Sequence, residues 1–191
     1  MEDRERLKAL LVERSVFLGE FTLSSGARST YYVDARRTTL SAEGQFLVGR
    51  VCLDALRQSG WSFTHVGGLT LGADPVACAV AHASWLDGHP VDAFTVRKSV
   101  KAHGRQQRIE GGLLAGARCV VVEDSMTSGS SALEALGEVQ CAGAEVVGVL
   151  TLIDREEGGG EKLRSEANLP LLSVFTAREL LAAAGAPIAE G

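Results

Sequence analysis

Hydrophobic positions follow a helical spacing at the start of the chain and a strand-like spacing soon after it. Residues 2–14 carry Leu7, Leu10 and Leu11 on one helical face, which predicts an amphipathic helix. Two short apolar runs, 16–23 and 30–35, favour β-strands joined by a turn rich in serine and glycine. Ser41 is typical of a helix N-cap, and the helix that it begins is predicted to end at Gly60.

From residue 60 onwards, apolar runs alternate with helical segments. Strands are predicted at 63–66, 91–96, 120–122, 145–153 and 171–175, with a glycine-rich loop at 67–72. Helices are predicted after residue 75, from 131 and from 176, because 131–134 and 176–179 fit the capping-box pattern. Residues 158–160, all glycine, indicate a hinge or a hairpin, and the tail from residue 185 is expected to fray.

This alternation of strands and helices predicts the fold class. It favours an α/β protein with a mostly parallel central sheet flanked by helices, in a single domain over residues 1–191. The early strands, within about 16–36, are separated from the alternating part by a helix. We expect them to form a small N-terminal hood, together with a segment near the C-terminal part, over the carboxyl edge of the sheet.

Composition narrows the class of protein. The 191 residues are 46% hydrophobic, which is enough for one well-buried domain. A net charge of −5 argues against nucleic acid as the main partner, and the apolar runs are too short to cross a membrane. The charged start of the chain lacks the apolar core of a signal peptide. The four cysteines have no metal-ligand spacing, so we expect reduced core residues in a cytoplasmic protein: Cys52, Cys78, Cys119 and Cys141.

The strongest chemical signal lies in residues 119–131. A β-branched run leads into Glu123 and Asp124, and a loop rich in serine and glycine follows at 125–130. Carboxyl ends of strands in open α/β sheets are where ligands bind. Ionised carboxylates only accept hydrogen bonds and therefore match a vicinal diol, whereas loop amides before a helix suit a phosphate. The pattern predicts a ribose 5-phosphate site; the alternative is a buried strand followed by an ordinary acidic turn.

This segment resembles the phosphoribosyl pyrophosphate (PRPP) motif of the type I phosphoribosyltransferases. The resemblance implies that Glu123 and Asp124 hold the ribose hydroxyls. Both acids also place negative charge beside C1, where positive charge develops as pyrophosphate leaves, so we count them as catalytic. The loop residues are implied to hold the 5-phosphate of PRPP: Ser125, Thr127, Ser128, Gly129 and Ser130.

A basic segment at 97–112 is the second signal. A long loop of this kind is usually functional, and positive charge in an acidic protein calls for an anion such as pyrophosphate. Its spacing resembles the lid of the orotate phosphoribosyltransferase family, on these residues: Arg97, Lys98, Lys101, His103 and Gly104. The alternative is a solvated basic loop.

That resemblance implies a homodimer in which the lid closes over the neighbouring subunit's site. Lys98 would serve its own subunit, whereas Arg97, Lys101 and His103 would bind PRPP across the interface. Lys101 would be the principal catalytic lysine. A closed lid would also keep water away from the reacting sugar.

The base pocket is implied by two further segments. Arg155 resembles the arginine that grips the orotate carboxylate, with a surface arginine paired to Asp154 or Glu156 as the alternative. Thr127 is assigned to orotate as well, and Tyr32 could stack on the ring or simply pack in the hood beside its neighbour. Two positions depart from the family, because Ser24 and Leu71 stand where many members have lysine. Arg28 or Arg36 could compensate.

Together these features predict an enzyme of pyrimidine (UMP) biosynthesis. It would transfer the ribose 5-phosphate of PRPP to orotate, giving orotidine 5-phosphate and pyrophosphate. Magnesium is expected as cofactor on the substrate oxygens, with no protein ligands assigned. A purine phosphoribosyltransferase and a nucleic-acid-binding regulator with the same fold remain alternatives. Histidines outside the lid are interpreted as structural: His65, His82 and His89.

Overall fold

The computed structural model describes residues 2–22, 26, 28–99 and 108–186. Its helices and strands follow one another along the chain in this order: α1 (Asp3–Ser15), β1 (Val16–Thr22), β2 (Arg28–Val33), α2 (Arg36–Thr39), α3 (Ala42–Gln58), β3 (His65–Leu69), α4 (Ala73–Leu86), β4 (Asp92–Val96), β5 (Ile109–Gly111), β6 (Arg118–Met126), α5 (Ser130–Cys141), β7 (Glu145–Asp154), α6 (Gly159–Ala167), β8 (Leu171–Thr176) and α7 (Ala177–Ala183).

The central sheet has six strands in the order β5-β4-β3-β6-β7-β8. The pairs from β4 to β8 are parallel, and β5 adds an antiparallel edge next to β4. Strands β1 and β2 form a separate antiparallel hairpin. The predicted α/β class with a mostly parallel sheet and a small N-terminal hood is therefore confirmed.

The strands are apolar on both faces because helices cover both sides of the sheet. Successive side chains of β6 alternate between the two faces of the sheet. Val120 and Val122 belong to one buried cluster, and Cys119 and Val121 belong to the other. The first cluster joins the sheet to α1, α3, α4 and α7, whereas the second joins it to α5 and α6. The sandwiched β6 therefore lies in the middle of the core, and its carboxyl end carries Glu123 and Asp124.

Two of the predicted helix starts are confirmed by their caps. The Ser41 hydroxyl accepts a hydrogen bond from the Gly44 amide at 3.1 Å, and the Thr176 hydroxyl accepts one from the Glu179 amide at 3.1 Å. The third predicted cap, at 131–134, is wrong. Helix α5 begins one residue earlier, after Gly129 in a left-handed conformation, and Glu134 forms an ion pair with Arg108 instead.

Other local predictions also need correction. Residues 158–160 are neither hinge nor hairpin, because α6 starts at Gly159. The short helix α2 was not predicted, and neither was β5, which occupies the end of the basic segment. All four cysteines are free thiols, but only Cys52 and Cys119 are buried, and burial raises the pKa of each to about 12. Cys78 and Cys141 are exposed rather than part of the core. Among the described residues, no helix combines the length and apolarity that a membrane span requires.

Strand β3 begins at His65 and includes Gly67 and Gly68, which the sequence pattern assigned to a loop. Glycine is required at both strand positions because neighbouring backbone comes too close for a side chain. A Cβ at Gly67 would overlap the carbonyl oxygen of Phe94, and one at Gly68 would overlap that of Val122. Glycine thus allows β3 to lie between β4 and β6 beneath the carboxyl edge.

Replacing Gly67 with alanine should lower the free energy of unfolding by about 1–3 kcal/mol, because β4 backbone has to shift. Urea denaturation monitored by circular dichroism measures this change in the free energy of unfolding. The matched control is Gly137→Ala in α5, where the added methyl group meets no described atom within 4 Å. That control should gain roughly 0.5–1 kcal/mol from helix propensity. Equal stability of Gly67→Ala and the native protein would contradict the close approach.

Candidate active site

The two acids lie inside the last part of β6 rather than after it. Strand β6 continues to Met126, because Glu123 pairs with Thr151 and Ser125 with Ile153 of the equally long β7. The expected loop at 125–130 is thus reduced to residues 127–129 before α5 begins. A rigid, paired strand therefore fixes the positions of both acidic residues.

A cavity of about 360 Å³ opens at this carboxyl edge. Its described lining comes from five parts of the chain: the end of β2 with the following turn, the loop from β3 to α4, the segment after β4, the end of β6 and the start of α5. Its charged lining consists of three carboxylates and two cations: Asp34, Glu123, Asp124, Arg36 and Lys98. The hairpin predicted as a hood does contribute, through the end of β2, one wall of the cavity.

Glu123 is 8% exposed, and its carboxylate reaches the start of α5. Burial, followed by the charge of Asp124, raises the pKa of Glu123 to about 7. Hydrogen bonds from the Ser131 hydroxyl and the Ala132 amide act in the opposite direction and lower it. Glu123 therefore satisfies an amide in the first turn of α5 from outside the helix, a role that the sequence pattern assigned to a capping box.

Asp124 is held against the loop that follows β3. Burial raises its pKa, whereas the Ser125 amide, which donates to Oδ1 at 2.9 Å, and the charge of Arg36 lower it. A Cβ at Gly72 would overlap the Asp124 carboxylate, so only glycine at position 72 allows the loop to pass so closely. The two acids are consequently neighbours of the glycine-rich loop as well as of α5.

Asp74 fixes the glycine-rich loop. One carboxylate oxygen accepts from the Thr70 hydroxyl at 2.6 Å and the other from the Thr95 hydroxyl at 2.8 Å. Leu71 projects from this loop with 68% exposure, so an apolar side chain occupies the position where the family resemblance implies lysine. Of the two arginines considered as substitutes, Arg36 lines the cavity, where its guanidinium is 2.9 Å from Asp34 Oδ1.

The loop at 127–129 lies between two helix N-termini. Gly129 has φ 72° and packs against Gly159 at the start of α6. The hydroxyls of Ser128 and Ser130 are 3.0 Å apart, and Lys162 of α6 donates to the Ser130 hydroxyl at 3.2 Å. Lys162 is not among the residues predicted from the sequence. The available signal was a lysine in the first turn of a helix, but α6 itself was not predicted.

Arg155 follows β7 and is buried, with 9% exposure, so the surface-arginine alternative is wrong. Its guanidinium lies 4.8 Å from the centre of the Tyr31 ring and 3.3 Å from Glu157, rather than against Asp154 or Glu156. The Nε atom of Arg155 is buried and has no hydrogen-bond partner among the described residues. Arg155 and Tyr31 both line a second cavity of about 810 Å³.

The side chain of Tyr32 lies on the opposite face of the β1–β2 hairpin from that of Tyr31. Its ring packs against Phe21 and Phe17, with centroids 5.8 and 6.5 Å away, and 39% of the residue is exposed. Hood packing is thus present for Tyr32, whereas Tyr31 is the ring that contacts Arg155. Stacking of Tyr32 on a base stays a prediction.

Only part of the predicted lid belongs to the described residues. At the base of the segment the Arg97 amide donates to the Arg108 carbonyl at 2.7 Å, and the Arg108 side-chain Nε donates to the Arg97 carbonyl at 2.7 Å. Lys98 lines the first cavity. Arg108 continues to α5 through Glu138, at 2.9 Å, and Glu134. The other calls lie outside the described residues: Ser24, Lys101, His103 and Gly104. In the described part of the chain, no three metal-binding side chains cluster together.

The raised pKa of Glu123 has a consequence for stability. The folded state holds this proton more tightly than the unfolded chain, whose glutamate titrates near 4.5, so unfolding becomes easier as pH rises from about 4.5 to about 7. Glu123→Gln stays neutral, and its stability relative to the native protein should rise by roughly 1–3 kcal/mol between pH 5 and pH 8. Denaturant titrations at both values measure it. The control Glu13→Gln, at an exposed position, should show no such change in relative stability. If the relative stability of both variants changed with pH in parallel, the result would contradict a buried charge at Glu123.

Comparison with known proteins matches this architecture to one family. Residues 45–176 match the family model of the phosphoribosyl transferase domain. An orotate phosphoribosyltransferase of Streptomyces coelicolor is 48% identical over 177 residues, which cover 93% of this chain and 96% of that protein. Its counterpart in Mycobacterium tuberculosis H37Rv is 50% identical over 164 residues, 86% of this chain and 89% of that protein.

Solved structures agree with the sequence comparison. The crystal structure of the M. tuberculosis H37Rv orotate phosphoribosyltransferase in complex with PRPP superposes with a TM-score of 0.79 at 44% identity, over 94% of this chain and 99% of that one. An adenine phosphoribosyltransferase from Leishmania tarentolae, only 17% identical, shares the fold with a TM-score of 0.67. The chain therefore belongs to the phosphoribosyltransferase family, and within it to the orotate phosphoribosyltransferases.

Proposed function

We propose that this protein transfers the ribose 5-phosphate group of PRPP to orotate, which yields orotidine 5-phosphate and pyrophosphate in UMP biosynthesis. The observation that carries the proposal is the arrangement at the carboxyl end of β6. The buried carboxylate of Glu123 and the partly buried carboxylate of Asp124 lie between the loop at 127–129, which suits an anion, and a cavity that contains Arg36 and Lys98. PRPP has the same sequence of groups: a phosphate, a diol and a pyrophosphate.

In this proposal Glu123 and Asp124 accept hydrogen bonds from the ribose 2- and 3-hydroxyls. Their rigid position on β6 orients the sugar so that C1 faces the cavity. Developing positive charge at C1 is then stabilised by the two nearby carboxylates, which need no reorganisation during the reaction. Amides and hydroxyls of the 127–130 segment bind the 5-phosphate, assisted by the positive end of α5.

The pyrophosphate is proposed to lie between the glycine-rich loop and the base of the lid. Arg36 and Lys98 supply positive charge from the described part of the cavity lining. Asp74 holds the loop in shape through its two threonine contacts, so backbone amides can bind anions although Leu71 provides no cation. Lys101, Arg97 and His103 are proposed to act on the same group from the lid.

Arg155 is proposed to bind the orotate carboxylate. Its planar guanidinium is held under Tyr31 and has a buried Nε with no hydrogen-bond partner in the described part of the chain. Binding of a carboxylate would satisfy that donor and displace Glu157. A purine base lacks this carboxylate and would leave the buried donor unsatisfied, so the residues around Arg155 favour orotate.

Magnesium belongs to the proposal as a cofactor carried by the substrate. The oxygen donors at the cavity, Asp34 and Asp124, are of the hard type that Mg²⁺ accepts, although substrate oxygens would provide most of its ligands. When bound, the ion neutralises charge on the leaving pyrophosphate. A cytoplasmic location is kept as part of the proposal, because all four cysteines are free thiols.

A homodimer is proposed from the apolar surface beside the cavity. Helices α2, α3 and α4 and the glycine-rich loop expose large apolar side chains along two adjoining grooves: Leu40, Phe46, Leu71 and Leu86. Gln45 lines both grooves, which makes the patch continuous. A second copy of the chain would cover these side chains and bring its lid close to the neighbouring cavity.

The proposed reaction is tested by the loss of orotate absorbance when purified protein is mixed with orotate, PRPP and magnesium. Adenine, hypoxanthine and uracil should not be consumed. Arg155→Met should raise the KM for orotate by about 10²–10³-fold, because one partner of a buried charge pair is removed, and should leave the KM for PRPP nearly unchanged.

Arg118→Met is the matched control for Arg155→Met. Arg118 lies at the amino end of β6, at the edge of the sheet opposite to the cavity, and is exposed beside Glu145. The KM of the Arg118→Met variant for each substrate should equal that of the native protein. If Arg155→Met raises the KM for PRPP more than the KM for orotate, Arg155 does not read the base.

The shared lid is tested with differently tagged subunits that are co-expressed and purified as heterodimers. Lys101→Ala alone should lower kcat by about two to four orders of magnitude, as should Asp124→Asn. A heterodimer of the two variants should recover about half of the native activity, because the intact Lys101 serves the site with the intact Asp124.

The reciprocal heterodimer is the control. One chain carries both substitutions and the other is native, so each site lacks either its lysine or its acid if lids are exchanged. This heterodimer should be nearly inactive. Half of the native activity here, with none in the first heterodimer, would mean that each lid serves its own subunit.

A further inference from the structure

Lys162 is held against the loop at 127–130 by the packing of α6. A Cβ at Gly159 would lie 2.6 Å from the Thr127 carbonyl oxygen and 2.8 Å from Met126, so the first turn of α6 touches the loop backbone. Lys162 lies three residues later in the same turn and places its ammonium group 3.2 Å from the Ser130 hydroxyl. Ser130 in turn contacts the Ser128 hydroxyl at 3.0 Å. The cation thus joins the cluster of loop hydroxyls.

The charge of Lys162 is not neutralised by any carboxylate in the described part of the chain. Within the described residues, Lys162 forms no ion pair, although Glu166 stands four residues later on the same helix. A lysine in the first turn also faces the positive end of the helix dipole, which is unfavourable. Both circumstances are relieved by an anion at the loop, where the positive ends of α5 and α6 and the ammonium group converge.

We infer that Lys162 binds the 5-phosphate of PRPP and of the nucleotide product, a role that rests on the proposed function. Only two strand residues, 125 and 126, separate Asp124 from the loop, so a phosphate there and a diol on the acids would belong to one sugar. In the proposed function the pyrophosphate end of the same ligand lies in the cavity lined by Arg36 and Lys98, which Lys162 does not line. Lys162 therefore adds positive charge at the end opposite to Leu71.

This assignment makes a distinctive prediction for ligands. Ribose 5-phosphate, PRPP and orotidine 5-phosphate all contain the 5-phosphate, whereas pyrophosphate and orotate do not. Lys162→Met should weaken binding of ribose 5-phosphate and orotidine 5-phosphate by about tenfold, the loss typical of one charge-assisted hydrogen bond at a partly exposed position. Affinity for pyrophosphate should be unchanged. Isothermal titration calorimetry on the free protein measures all three.

Three variants complete the experiment. Lys162→Arg keeps the charge and should restore most of the affinity, whereas Lys162→Gln keeps a hydrogen-bond donor without charge and should resemble Lys162→Met. Arg164→Met removes an exposed cation from the same helix and should bind like the native protein. The KM for PRPP should follow the same order, with kcat little changed. Circular dichroism and thermal melting identify any variant that fails to fold.

The outcomes separate this inference from the proposed reaction. Native affinity for ribose 5-phosphate in Lys162→Met, or an equal loss of affinity for pyrophosphate, overturns the role of Lys162 even if the protein converts orotate. Conversely, weaker ribose 5-phosphate binding in Lys162→Met supports it even if the native protein consumes no orotate, in which case only the proposed reaction fails.

Discussion

The burial of the Glu123 carboxylate at the end of the central strand is the constraint on which the site depends. Burial opposes ionisation and raises the pKa of Glu123 to about 7, and donors from Ser131 and Ala132 partly offset this cost. Those donors belong to the first turn of α5, so the carboxylate and the start of the helix fix one another. The loop at 127–129, between strand and helix, has little freedom as a result. One interaction thereby sets the spacing between the carboxylate and the loop that are proposed to bind the ribose diol and the 5-phosphate.

Charge is distributed around this pair in a way that matches an elongated, strongly anionic substrate. The acids occupy the middle, Arg36 and Lys98 one end of the cavity, and Lys162 the loop beyond the acids. The protein as a whole is acidic, with a net charge of −5, so these cations form a local exception. In the proposed function this arrangement positions the substrate and places compensating charge where the bond breaks. Arg155 stands apart, under Tyr31, where a base with a carboxylate would complete its hydrogen bonds.

Local sequence patterns were sufficient to predict features that depend on residues close together in the chain. Ser41 and Thr176 cap the helices that they were predicted to cap, and the β-branched run at 120–122 is buried on both faces. The failures concern partners far away in the chain. Gly67 and Gly68 belong to a strand because other strands approach them, and Glu134 pairs with Arg108 rather than capping α5. Lys162 became a candidate only when α6 was found packed against a loop about thirty residues earlier, which local sequence patterns do not encode.

The most direct test is a crystal structure of the protein with PRPP bound. The ribose 2- and 3-hydroxyls should lie within hydrogen-bonding distance of the Glu123 and Asp124 carboxylates, roughly 2.5–3.2 Å, with the 5-phosphate on the amides of 127–130. A ribose bound away from these two acids, or a 5-phosphate elsewhere than on that loop, would contradict the account.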